Sequence, residues 1–74
     1  MNINVFIEKL AEAMEVENPS TISADTIFRD MDEWGSLSYL SLIALFDQEF
    51  DIQIEDSELK RLKTIQDLYD RATM

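Results

Sequence analysis

The chain has no cysteine and no histidine among its 74 residues. Without thiols there is no disulfide and no thiol chemistry of the chain's own. Without imidazoles there is no Ser-His-Asp or Cys-His nucleophile and no ordinary zinc site. Nor is there an apolar run of the ~20 residues that span a bilayer, or a basic region ahead of the first apolar residues as in a signal peptide. A cytoplasmic location is the expectation. Cations are scarce as well: 6 Lys and Arg stand against 16 Asp and Glu, a formal charge of −10. Such a balance repels nucleic acid and anionic membrane surfaces and favours basic protein partners. Its self-repulsion should make the fold respond to salt. A chain this short forms one modest core worth ~3–5 kcal/mol. A single domain over residues 1–74, monomeric and without a walled active site, is expected, and an enzyme is not.

Only one glycine, one proline and one tryptophan are present, and two of the three are adjacent, in Glu33-Trp34-Gly35-Ser36-Leu37. An apolar segment follows through Phe50, too long for a strand and free of internal glycine and proline, so a helix over 36–50 is predicted. At 100° per residue Tyr39, Leu42, Ile43, Phe46 and Phe50 form the stripe expected to face the core. Ser38, Ser41, Gln48 and Glu49 mark the expected solvated side, where Leu45 has no explanation. Leu37, Leu40 and Ala44 form a second apolar patch on the side of Ser36, available to a partner. Ser36 falls at the helix N-terminus, either as an ordinary N-cap or as a place where a phosphate ester would be stabilised by free N–H groups and the helix dipole. Gly35 either leaves the Ser36 hydroxyl open to a modifying enzyme or is a turn glycine permitting positive φ.

Ahead of this helix, Ile3, Phe6, Ile7, Leu10, Ala13 and Met14 recur at helical spacing, with Asn2 or Asn4 available as cap. Between Glu15 and Gly35 lies a long connection opened by the turn signal Asn18-Pro19-Ser20-Thr21. Ile22, Ile27, Phe28 and Met31 are expected to anchor it, with a helical turn at Asp25 to Phe28, and Trp34 is expected to pack. After Phe50, the residues Asp47, Glu49, Asp51, Gln53, Glu55 and Glu58 have EF-hand spacing, but Ile52 stands where that loop needs glycine. A calcium loop over Asp47 to Glu58 is therefore disfavoured, and no dedicated metal site is expected. Asp56 to Leu62 reads as a short helix capped by Asp56. Lys60, Arg61 and Lys63 read as local neutralisation rather than an anion site. Thr64 with Asp67 resembles a capping box opening a last helix through Ile65, Leu68, Tyr69 and Ala72.

Gly35-Ser36-Leu37 leading into an apolar helix that ends in acids, together with the length, the acidity, the long first loop and the late Ile54-Glu55-Asp56 and Thr64-Ile65-Gln66-Asp67 segments, resembles the acyl carrier proteins. The resemblance implies an all-α fold, a small helical bundle of three main helices and one short helix with a long first loop. It implies 4′-phosphopantetheine, donated from coenzyme A, on Ser36, carrying acyl, aminoacyl or polyketide intermediates as thioesters. It implies as partners a phosphopantetheinyl transferase and acyl-loading and acyl-processing enzymes with basic docking surfaces. Asp47, Glu49, Asp51 and Glu55 would steer them, and Leu37, Leu40 and Ala44 would make the short-range contacts. Phe46, Leu62 and Leu68 would line a cargo shelter between helices. Gly35 stands where the family usually has aspartate; with Trp34 it suggests a specialised pathway, and it keeps open an unmodified acidic interaction module of the same fold.

Overall fold

The computed structural model describes residues 2–73. Helix α1 spans Ile3–Ala13, α2 Ser36–Phe50, α3 Asp56–Leu59 and α4 Ile65–Ala72, with 3₁₀ turns at Pro19–Thr21 and Phe28–Asp30. Asn2 caps α1, its side chain accepting from the Val5 N–H at 3.0 Å. Phe6, Ile7, Leu10 and Ala11 of α1 are buried, whereas Ala13, expected in the core, is only half-buried. Thr64 and Asp67 form a reciprocal capping box that opens α4. The Asp67 carboxylate accepts the backbone N–H groups of Thr64 and Lys63, which holds its pKa below the ordinary aspartate value.

α2 has the predicted limits, but its buried face is rotated from the predicted stripe. Ser38, Leu42, Leu45 and Phe46 are the buried residues, spread over roughly 100° of arc. Tyr39, Ile43 and Phe50 pack against the core only in part. Leu45 thus lies inside, and so does Ser38, expected in solvent: its hydroxyl donates to the Glu33 carbonyl, which satisfies the buried oxygen. Phe6 joins α1 to the end of α2 through Phe46 and Phe50, with ring centroids 6.4 and 5.8 Å away, and meets Tyr69 of α4 edge-on at 5.6 Å. Asp51 ends α2 in the left-handed region at φ 55°, a conformation aspartate tolerates better than most residues.

The first loop is fastened to the segment before α4. Ile27 and Thr64 form an isolated antiparallel bridge. Phe28 N–H donates to Lys63, Ile65 N–H to Thr26 and Gln66 N–H to Ala24. This extended pairing replaces the helical turn expected at Asp25 to Phe28, the turn forming instead at Phe28–Asp30. Ile22 and Phe28 are buried, but Ile27, expected to anchor the loop, is 45% exposed because its backbone rather than its side chain makes the attachment. Arg29, to which no role attaches from sequence, donates to the Leu62 and Leu59 carbonyls at 2.6 Å each and lies 4.7 Å over the Phe28 ring. One side chain thereby ties the first loop to carbonyls at and just beyond the end of α3.

Candidate functional site

Ser36 is the first residue of α2, not its cap. Gly35 holds the cap position and offers no side-chain hydrogen bond. Because Ser36 is exposed and its hydroxyl has no hydrogen-bond partner among the described residues, the oxygen is free to react. The N–H groups of the first helical turn point the same way, with no intrahelical partner, and no acidic side chain stands in that turn to neutralise the dipole. A phosphate ester at Ser36 Oγ therefore fits both the open space and the local field. Gly35 is extended, at φ −174° and ψ −169°, so the positive φ expected of it is not used. A Cβ built there would meet nothing within 4 Å.

Around Ser36 the chain is braced by rings. Trp34 packs, as expected, edge-on against the fully buried Phe28 at 5.1 Å and against Tyr39 at 6.4 Å. The Tyr39 hydroxyl donates to Asp56, at the start of α3. That bond raises the Tyr39 pKa, with burial and the Asp56 charge assisting; the same bond, then that of Lys60, lowers the pKa of Asp56. Asp56 is thus the first residue of α3 and a brace between helices rather than its cap, which is Glu55 without a side-chain bond. Regular α3 stops at Leu59, short of the predicted Leu62.

Leu37 is 80% and Leu40 61% exposed, and Ala44 is exposed beside them, so the second apolar patch of α2 lies on the surface. The acids at the far end of α2 and beyond, Asp47, Glu49, Asp51 and Glu55, are all exposed. Glu49 also pairs with Lys9 of α1, and its hydrogen bond raises the lysine's pKa. The sequence reading passed over Asp30, Asp32 and Glu33, which are exposed just before Ser36; their position three to six residues ahead of the serine was the available signal. The EF-hand spacing does not become a loop. Asp47 and Glu49 are inside α2, Asp51 is its cap, and among the described residues no group of three or more acidic side chains converges on a point where a metal could sit.

The family described as phosphopantetheine attachment site matches residues 4–72. The chain belongs to this acyl carrier family. It is 30% identical over 74 residues to an acyl carrier protein of Thermosynechococcus vestitus, a match covering 95% of this chain and 90% of that protein. It is 33% identical over 51 residues to one of Bdellovibrio bacteriovorus, covering 69% of this chain and 65% of that protein. No solved structure matches. The helical fold is that of the family, whose prosthetic group is 4′-phosphopantetheine. The relatives are carriers rather than enzymes. No helix among the described residues is long and apolar enough to cross a membrane.

Membership makes Gly35 the informative departure, since aspartate is usual before the serine in carriers that this chain resembles. Extended backbone and open space mean that nothing in the fold demands glycine there. Gly35→Asp is expected to stabilise the protein by about 0.5–1 kcal/mol, through reduced freedom of the unfolded chain and a carboxylate at an uncapped helix start. Urea unfolding measures it; a lower midpoint in the variant would refute the reading of Gly35 as conformationally unnecessary.

Proposed function

We propose that Ser36 is the attachment residue and that the protein carries acyl, aminoacyl or polyketide intermediates for partner enzymes, performing no chemistry itself. The observation that carries this is the exposed, unbonded Ser36 hydroxyl at the uncapped start of α2, within a family match covering residues 4–72. The bound group supplies the thiol that the cysteine-free chain lacks. This chain's residues present it: Phe28, Trp34 and Tyr39 brace the loop before Ser36, and the first turn of α2 receives the phosphate charge. One cytoplasmic, monomeric carrier unit over residues 1–74 completes the reading. The test is the intact mass after incubation with coenzyme A and a broad-specificity phosphopantetheinyl transferase. A gain of one phosphopantetheinyl group supports the carrier role, and no gain with several transferases supports the unmodified interaction module.

Leu37, Leu40 and Ala44 form the short-range docking patch, while Asp47, Asp51 and Glu55 steer basic surfaces toward it. Glu49 contributes less because Lys9 already pairs with it. Asp47→Lys with Glu55→Lys, which spares the left-handed Asp51, is expected to lower the transferase's kcat/KM about tenfold at low salt. The deficit should shrink as salt rises, since exposed charges are screened. Equal rates at low salt, in a variant that melts like the parent, would remove the steering argument.

A further inference from the structure

Ser36 belongs to a groove whose walls suit the arm it is read to carry. Trp34, Gly35, Ser36, Tyr39 and Leu40 line an open depression of about 460 Å³. Its aromatic wall is fixed from beneath: buried Phe28 supports Trp34, Trp34 meets Tyr39, and Tyr39 is held by Asp56. The Trp34 indole N–H has no hydrogen-bond partner among the described residues. Gly35, which lines the groove beside them, adds no side chain to it. A pantetheine chain carries a geminal dimethyl carbon, a secondary hydroxyl, two amides and a terminal thiol, so its methyls match an apolar aromatic face and its carbonyl or hydroxyl oxygens a free N–H donor.

We propose that the arm on Ser36 rests in this groove, its methyl groups against Trp34 and Leu40, and that cargo stays there, outside the helix interior. The proposal depends on Ser36 being the attachment residue. Two observations favour the outside over the shelter between helices. Phe46 and Leu68, two of the three residues expected to line that shelter, have no accessible surface, and neither borders the groove of Ser36. Tyr39 also ties the first turn of α2 to α3, so parting these helices beside Ser36 breaks its hydrogen bond to Asp56.

The experiment uses isotope-labelled protein converted with coenzyme A, and in parallel with octanoyl-coenzyme A, each product checked by intact mass. Expected are nuclear Overhauser contacts from the geminal methyls to the Trp34 ring and the Leu40 methyls, and a shift of the Trp34 indole N–H. The octanoyl chain should add contacts in the same groove and leave Phe46 and Leu68 unmoved. In the fraction of Leu40→Ser protein that has gained mass, the contacts of the geminal methyls should weaken, because the exposed leucine methyls that they rest on are gone. A mass gain with Trp34 unshifted, or contacts from the octanoyl chain to Phe46 and Leu68, overturns the groove while leaving attachment at Ser36 intact. Failure to gain mass overturns the attachment reading and the groove with it.

Discussion

Ser36→Ala should abolish the gain of phosphopantetheine completely while leaving the stability of the fold within about 0.5 kcal/mol of the parent. The two halves of this expectation rest on separate observations. Loss of modification follows from the proposal that the Ser36 hydroxyl is the oxygen on which the group is built. Indifference of the fold follows from Ser36 being the first helical residue, with an exposed side chain that satisfies no backbone donor. Had the hydroxyl capped α2, its removal would cost about 0.5–2 kcal/mol, so one variant measured two ways separates the attachment residue from the N-cap. Intact mass reads the first half and urea unfolding the second. Mass gain in the alanine variant would move attachment to another hydroxyl; a loss above 1 kcal/mol would return Ser36 to a structural role.

Local rules made most of α2 readable. Length, absence of glycine and proline, and apolar content set its limits at Ser36 and Phe50, and the Thr64–Asp67 capping box was legible because it depends on residues three apart. What local pattern could not carry is partner identity. Ser38 looks polar in any one-dimensional pattern, yet a carbonyl five residues back lets it be buried, and Leu45 lies inside because the buried face of α2 is rotated from the predicted stripe. Asp56 has the chemistry of a cap and is used as a brace because Tyr39, seventeen residues away, reaches it. The pairing of the first loop with residues 63–66 is likewise non-local, so an extended segment replaced an expected helical turn.

The same distinction applies to the site. Glycine before a helix usually signals positive φ, but here the backbone is extended, and a Cβ at this position would stand in open space. The exposed patch of Leu37, Leu40 and Ala44 was legible because these residues exceed what one core-facing stripe needs. The pairing of Glu49 with Lys9 was not, since it depends on how α1 lies against α2.

Phe46→Ala should leave the protein largely unfolded at 25 °C and low salt. The ring is fully buried, touches the Phe6 and Phe50 rings at centroid distances of 6.4 and 6.0 Å, and joins α2 to α1. Truncating a buried phenylalanine costs about 3–5 kcal/mol in lost transfer energy and residual cavity. A core of this size supplies only about 3–5 kcal/mol in total, so the two terms cancel and the folded fraction falls. Far-UV circular dichroism should show loss of helix and of the cooperative melt, with partial recovery in high salt as screening relieves the repulsion of ten net negative charges. Leu37→Ala, at an 80% exposed residue of the same helix, should change stability by no more than about 0.5 kcal/mol. Modification discriminates further: a transferase that reads α2 as a folded element should modify the Phe46 variant slowly and regain rate with salt-induced helix, against the ordinary screening trend. A cooperative melt with less than 1 kcal/mol lost would mean that α2 is held mainly by contacts other than this ring.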